Sequence, residues 1–311
     1  MPKIGPRYSL QQTLCVNIFE KEQQNNPTVM DINLTHYLSS MAYNSAYIAL
    51  FISIIAVAKL SYNLATPYNT TSQLTDNANS ALGLSIGGYL GAITIIYGFV
   101  LTGPSKGLIT DLINVSLYSL LGMVLLTCSR ILNDKLLLRL FCNQEQLINQ
   151  QNEAVGLVQA ANYMAAALII GGALTGEGTW LSAIVFYLLG QLMLIIFAKG
   201  YDHLTAFNLN EQLEKGNKAV ALSFSGTMLA LAIILCHALI GGFHSWQQSL
   251  SLFFIDALFG FLILPVVRYL VDKIIFSKIS IDQAMQDKNT AVAVIESSIA
   301  ICVAVIITIA I

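Results

Sequence analysis

Asn217-Lys218-Ala219-Val220-Ala221 opens an apolar run, and the same five-residue beginning occurs three more times: Asn79-Ser80-Ala81-Leu82-Gly83, Asn152-Glu153-Ala154-Val155-Gly156 and Asn289-Thr290-Ala291-Val292-Ala293. Each copy heads a long apolar segment, so the chain reads as four versions of one membrane hairpin. A larger duplication overlies the smaller one. Thr66-Pro67-Tyr68-Asn69, ending in Gln73-Leu74, returns as Thr205-Ala206-Phe207-Asn208 ending in Gln212-Leu213, an offset of 139. Arg130-Ile131-Leu132-Asn133-Asp134-Lys135 returns as Arg268-Tyr269-Leu270-Val271-Asp272-Lys273, an offset of 138.

Composition sets the solvent. The chain is 56% hydrophobic and 10% charged, with a mean hydropathy of +0.68, whereas about a quarter of the residues of a soluble domain carry charge. A formal charge of -2 with no run of like charges excludes a nucleic-acid footprint. Partners are sought in the lipid bilayer or at its surface. Cys15, Cys128, Cys142, Cys236 and Cys302 show no pairing or metal-ligand spacing, and Cys236 and Cys302, inside apolar runs, are expected to be buried free thiols. No metal site or cofactor is expected. The first forty residues mix charges with short apolar stretches and lack the apolar stretch of a signal peptide, so the first membrane helix is expected to serve as the address.

A hydrocarbon core of about 30 Å needs roughly 20 apolar residues per helix. Eight stretches qualify: 42–63, 80–102, 108–130, 154–174, 180–198, 219–241, 246–268 and 290–311. The expected fold is therefore all-α, a polytopic membrane bundle of eight helices in four two-helix repeats. Residues 1–40 form a polar amino-terminal segment, 41–176 a first four-helix unit and 177–311 a second. Tight turns at Gly103-Pro104, Thr175-Gly176-Glu177-Gly178 and Gly241-Gly242 join antiparallel neighbours. Trp180 and Trp246 follow two of them, at the headgroup level that indole favours.

Two spans per repeat give every repeat the same polarity, so the halves are parallel about an axis near the membrane normal. Lys59, Arg130, Lys135, Arg139, Lys199, Lys215, Lys218, Arg268, Lys273, Lys278 and Lys288 lie on the side of the long connections, and only Lys3, Arg7, Lys21 and Lys106 on the other. The positive-inside rule places the long connections in the cytoplasm and both termini outside it.

Asparagine is a preferred helix cap because its side-chain oxygen accepts from an otherwise unpaired first-turn amide, and an unpaired amide costs more still in lipid. Asn79, Asn152, Asn217 and Asn289 are read as structural caps. The sharper alternative is that four helix amino-termini converge on one anionic group. Behind the caps, small residues share one helix face: Ala81, Ser85 and Gly88 in the first copy, Ala219, Ser223 and Gly226 in the third. Such stripes allow close helix approach in lipid and are expected at the contacts between repeats. Val158 and Ile295 interrupt the stripe in the second and fourth copies.

Seven residues after the asparagine, Ile86 and Phe224 alternate with Gln159 and Glu296. Glu296 would lie about 10 Å along its helix, where a carboxylate is costly unless paired, protonated or facing water. The pseudo-two-fold makes Gln159 and Glu296 equivalent, facing each other or a shared cavity; the structural alternative is a carboxylate satisfied by Gln159, Asn162 or Ser297. Asp256 sits near mid-membrane with no acidic counterpart, since the offset leads to Tyr118. It is read as a proton or cation site or as a neutral, hydrogen-bonded acid. Asp111, near an interface, is expected to be solvated. Arg130 with Asp134, and Arg268 with Asp272, have the helical spacing of interfacial ion pairs. Gln191 and His237 are further polar insertions. No nucleophile-base pair, phosphate loop or metal signature appears, so no enzyme is expected.

These residues together resemble the domain of unknown function numbered 350, the YjfL-like bacterial inner-membrane proteins. The resemblance rests on the Asn-x-Ala openings, on Ala219-Val220-Ala221-Leu222-Ser223-Phe224-Ser225-Gly226-Thr227, on the segments 130–135 and 268–273, and on the alternating repeat types. It covers roughly residues 41–311 as two family units in tandem. It implies a multi-pass inner-membrane protein, often found alongside ATP-grasp-like or phage-shock-type proteins, with no settled activity and no catalytic residue to carry over. Two functions are expected as alternatives: a transport or permeation-related protein using Glu296, Asp256, Gln159 and Asn162, or a non-transporting scaffold that docks such a cytoplasmic protein. A homo-oligomer through small-residue faces is a further possibility.

Overall fold

The computed structural model describes residues 34–136, 144–175, 179–240 and 245–310. Eight of its helices are long and apolar enough to cross a membrane. They are α1 (Leu34–Leu64), α3 (Ser80–Leu101), α4 (Leu108–Leu136), α5 (Glu153–Thr175), α6 (Trp180–Leu204), α8 (Lys218–Leu239), α9 (Trp246–Leu270) and α11 (Thr290–Ala310). Short helices α2 (Thr70–Thr75), α7 (Leu209–Glu214) and α10 (Ile281–Gln286), with single π-helical turns at Glu145–Asn149 and Val271–Ile275, fill the connections. No strand occurs among the described residues, so the chain is an all-α polytopic membrane bundle. The expected turns at Gly176–Gly178 and Gly241–Gly242, the first thirty-three residues, Cys142 and the side chains of Asp134 and Trp180 lie outside the described residues.

By density of contact the chain divides into residues 1–46 and 47–311. The described part of the first is the start of α1, where Ser45 Oγ donates to the Met41 carbonyl at 2.8 Å. The second unit, residues 47–311, holds the rest of α1 and all the later helices.

The four helices headed by the repeat asparagine, α3, α5, α8 and α11, pack side by side in chain order. The other spans lie against the seams: α4 touches α3 and α5, α6 touches α5 and α8, and α9 touches α8 and α11. Phe51 of α1 meets Tyr97 of α3 with ring centroids 5.1 Å apart, and Tyr97 Oη donates to the Tyr47 carbonyl at 2.7 Å.

One register repeats along the row. A Cβ on Gly88 would strike the backbone of Ala160, and one on Gly226 would strike Ser297. These are the ninth residue after one repeat asparagine and the eighth after the next. Ser297 Oγ donates to the Leu222 carbonyl at 2.8 Å, and Ser225 Oγ to the Leu157 carbonyl at 3.5 Å, linking the eighth residue to the fifth of the preceding repeat. Without a hydrophobic force between helices in lipid, this backbone approach supplies the dispersion and polar contacts that hold the row together.

The asparagines lock the row at one end. Asn79 Oδ1 accepts from the Leu82 amide at 3.0 Å, while its Nδ2 donates to the Leu147 carbonyl at 2.8 Å and to Gln73 at 3.3 Å. Asn152 Oδ1 accepts from the Ala154 amide at 3.0 Å, and its Nδ2 donates to Gln146 at 2.7 Å and to the Leu213 carbonyl at 2.8 Å. Asn217 Oδ1 accepts from the Ala219 amide at 3.1 Å, and its Nδ2 donates to Gln212 at 2.8 Å and to the Met285 carbonyl at 2.7 Å. Each side chain thus caps its own helix and reaches the connecting segment of the next repeat. Asn289 Oδ1 accepts from the Val292 amide at 3.2 Å, and its Nδ2 has no partner among the described residues. The four helix ends stand in a row at one end of the bundle and do not surround one anion.

Before every repeat asparagine the backbone turns left-handed, with φ +46° at Ala78, +48° at Gln151, +68° at Gly216 and +58° at Lys288. Only one of the four is glycine, the residue for which this conformation is free of strain.

Candidate functional site

Because neighbouring spans run antiparallel, the last turns of α6 and α9 meet the first turns of α8 and α11 at one level. Sequence places Tyr201 and Arg268 in the former, Ser223 and Glu296 in the latter. Arg268 is the hub. Its Nη1 donates to Glu296 Oε1, to Ser223 Oγ at 3.1 Å and to Tyr201 Oη at 3.3 Å. Its Nη2 donates to Asp282 Oδ1, on α10, at 2.7 Å. The guanidinium lies 5.6 Å from the centre of the Tyr201 ring, and Tyr201 Oη and Ser223 Oγ are 2.8 Å apart. A planar fork with several fixed donors suits this geometry in a way a lysine would not.

The cluster opens onto a cavity of about 290 Å³ whose lining includes Phe197, Tyr201, Leu264, Arg268, Asp282 and Glu296. Glu296 is 3% exposed, and its Oε2 is buried with no hydrogen-bond partner among the described residues. One guanidinium therefore faces two carboxylates, and one carboxylate oxygen still has an unused acceptor site. Asp282 is itself fixed, its Oδ2 accepting from the Ala206 amide at 3.2 Å.

The first half holds a counterpart in which an amide stands at the place of the Glu296 carboxylate. Tyr62 Oη and Ser85 Oγ are 3.3 Å apart, Ser85 Oγ donates to Gln159 Oε1 at 2.7 Å, and the Arg130 guanidinium lies 5.1 Å from the Tyr62 ring centre. Gln159 and Glu296 occupy equivalent positions in separate clusters, and Gln159 is not among the residues lining this cavity.

Several expected pairings are replaced. Arg268 does not pair with Asp272: the guanidinium swings away from its own helix to Asp282 and Glu296, and Asp272 accepts from the Ile281 amide at 2.6 Å and sits 3.4 Å from Lys273 Nζ. The partner of Glu296 is this arginine, not Gln159, Asn162 or Ser297. The side chain of Asp134 lies outside the described residues, so the Arg130–Asp134 pairing does too. Asn162 is buried on α5 with Oδ1 unpartnered and is not among the residues lining the cavity. Asp256 is half-buried on α9, within electrostatic range of His237 on α8, and also stands apart from the cavity. Asp111 is buried, not solvated: it accepts from Ser105 Oγ at 2.5 Å and from the Lys106 amide at 2.7 Å, closing the loop before α4. Cys236 is buried as expected, whereas Cys302 and Cys128 are exposed on the outer faces of their helices.

The offset of 138 that relates Arg130 to Arg268 also relates Ser85 to Ser223, and the offset of 139 found at Thr66 and Thr205 relates Tyr62 to Tyr201, so these members were accessible from the sequence. Asp282 carries no such signal. It joins the site only because the connection after α9 folds back over it.

The family described as Domain of Unknown Function (DUF350) matches twice, over residues 36–174 and 176–311. UPF0719 transmembrane protein YshE of Bacillus subtilis (strain 168) is 28% identical over 116 residues, which cover 37% of this chain and 82% of that protein. No solved structure matches.

Proposed function

The chain belongs to the DUF350 family of multi-pass membrane proteins, and from that premise we propose that it is a transport-related member whose Arg268–Glu296–Asp282 cavity binds a cation, a proton or a small organic ammonium. The observation that carries this reading is the buried, unpartnered Oε2 of Glu296 on the wall of a cavity in which carboxylates outnumber the guanidinium. Ionisable groups inside a membrane are expensive, and they recur on ion and proton pathways. A proton on Glu296, or an N–H donor at Oε2, would use the vacant acceptor and balance the charge, and Phe197 and Tyr201 offer aromatic faces to an ammonium group. Asp256, near His237, is a second polar step at a different depth.

In this reading the chain is two four-helix units, 41–176 and 177–311, in a bacterial inner membrane. The asparagine-headed ends and long connections face the cytoplasm and the termini lie outside it. The basic residues gathered at that end support this orientation. Purified protein in liposomes tests the function: wild type should carry protons or a small amine down an imposed gradient, with flux lost in Glu296→Gln and reduced in Asp256→Asn. Absence of flux of protons, cations and polyamines in every variant would refute it.

A scaffold reading has one observation behind it, that all four connecting segments emerge at the same end of the row. It requires a cytoplasmic ATP-grasp-like or membrane-stress partner to be retained by wild type in pull-downs and lost when residues 205–217 and 276–289 are replaced.

A further inference from the structure

The row α3–α5–α8–α11 is a head-to-tail repeat that ends abruptly at both sides, and we infer that copies of this protein assemble side by side in the membrane, α11 of one copy packing on α3 of the next in the register of the internal contacts. Such assembly depends neither on the cavity nor on transport.

Three internal contacts use one geometry, so the faces that would continue it are defined in advance. The leading face presents the second, ninth and thirteenth residues after the asparagine. They are Ala81, Gly88 and Ala92 on α3, and Ala219, Gly226 and Ala230 on α8, all covered by the following helix. On α11 they are Ala291, Ser298 and Cys302, equally small and all exposed. The receiving face is built on the fourth and eighth residues: Gly156 and Ala160, Ala221 and Ser225, Ala293 and Ser297. On α3 these are Gly83 and Gly87. Gly87 is exposed, and a Cβ there would meet nothing within 4 Å. Glycine at an open helix face has no use inside this chain, since it weakens the helix by about 1 kcal/mol relative to alanine.

Two further features fall into place at the same edges. Asn79, Asn152 and Asn217 each donate to a carbonyl of the next repeat, whereas Asn289 Nδ2 has no partner among the described residues. In a continued row it would meet the Leu74 segment of the neighbouring copy. The spans at the edges are also the least covered of their kind. The buried share of the apolar window is 83% in α5 and 78% in α8 but 44% in α3 and 22% in α11, and it is 11% in α1. In the stagger of α4, α6 and α9 over successive seams, α1 would lie over the seam between its own α3 and the α11 of the preceding copy.

The type of contact is fixed as well. The sixth and seventh residues are polar within each half, Ser85 with Gln159 and Ser223 with Glu296, and apolar between the halves, Val158 with Phe224. On the terminal helices they are Ile295, which is exposed, and Ile86, which is already buried within the chain; both are apolar, like the pair between the halves. Such an interface is heterologous and generates a ring or an open row.

Cysteine cross-linking in native membranes tests this. In a background lacking the five native cysteines, two differently tagged copies carrying Gly87→Cys and Ser298→Cys are co-expressed. They should cross-link severalfold more than a mismatched pair, Gly87→Cys with Ile309→Cys. A stronger signal from either variant with itself would establish a two-fold dimer and overturn the head-to-tail arrangement. No signal above the mismatched pair overturns it too. A second measurement keeps the native cysteines: wild type should run as an oligomer in native mass spectra from mild detergent, and Gly87→Leu, which has free space in the monomer, should shift it to monomer while keeping the wild-type helix content in circular dichroism. A monomeric wild type, or an oligomer indifferent to Gly87→Leu, would sink the inference.

Discussion

Replacing Arg268 by methionine should destabilise the protein far more than replacing Glu296 by glutamine, and the difference follows from who is left without a partner. Arg268→Met strips the only guanidinium from two carboxylates, one of them Glu296 at 3% exposure. Breaking a buried pair in this way costs about 3–5 kcal/mol, or a hundred- to several-thousand-fold in the folded-to-unfolded ratio at about 1.4 kcal/mol per decade. Glu296→Gln leaves an oxygen that still accepts from the guanidinium, as Gln159 accepts from Ser85. Arg268 also keeps Asp282 at 2.7 Å, with 19% of its side chain exposed, so the loss should be about 1 kcal/mol, one neutral-for-charged hydrogen bond. The double variant Arg268→Met, Glu296→Met removes both buried charges and should recover most of the stability lost by Arg268→Met alone, because a well-packed apolar pair can replace a buried ion pair at little cost. Unfolding in mixed detergent micelles, followed by circular dichroism, gives these values, and with Glu296→Met alone it closes the double-mutant cycle. Equal losses for Arg268→Met and Glu296→Gln, or strict additivity in the double variant, would refute the hub geometry.

Asn152→Ala removes a cap for two amides and strands the buried Leu213 carbonyl; a loss of about 2–4 kcal/mol is expected, against at most about 1 kcal/mol for the exposed Asn289→Ala, both read from thermal melts in detergent. Ala78→Gly and Gln151→Gly relieve left-handed non-glycine residues with φ +46° and +48° and should each raise stability by roughly 1 kcal/mol; a decrease at both positions would count against the strain. Gly226→Leu, which strikes Ser297, should cost about 1–3 kcal/mol by overpacking, while Gly98→Leu, with nothing within 4 Å of its Cβ, should not lower the melting temperature and should gain up to about 1 kcal/mol of helix propensity.

The fold was legible because its periodicities are chemical. Eight apolar runs fix the spans, and four asparagines fix the helix starts, since an exposed amide in lipid has few alternatives to a side-chain cap. The small residues at Gly88 and Gly226 signalled the close contacts, since nothing else in lipid rewards that spacing. What stayed hidden was the second use of each asparagine. Its nitrogen reaches into the next repeat, a contact of 61 to 68 residues in separation that no local pattern encodes. The left-handed residue before three of the four caps was equally invisible, because alanine, glutamine and lysine stand where glycine would have announced it. At the candidate site, helical spacing favoured Asp272 for Arg268. A guanidinium at a helix end can turn off its own helix, however, and tertiary placement of α10 decided for Asp282.

The two halves offer an internal comparison that bears on why Glu296 is a carboxylate. Ser85 bonds Gln159, Tyr62 lies beside Ser85 and Arg130 over the Tyr62 ring, an arrangement like that of Ser223, Tyr201 and Arg268 near Glu296, with similar aromatic–guanidinium distances of 5.1 Å and 5.6 Å. The first half therefore demonstrates that an amide completes this packing, with Ser85 as its hydrogen-bond donor. Changing that amide to an acid brings the desolvation cost of a buried charge, which the Arg268 guanidinium offsets by bonding the carboxylate directly, while it also holds Asp282 of α10. The amide stands a hundred and thirty-seven positions earlier in the same chain, at the equivalent place. In the proposed transport reading the carboxylate has a use that an amide lacks, which is to take up and release a proton or hold a cation on its free oxygen. The cavity found beside Glu296 is where such a step would occur.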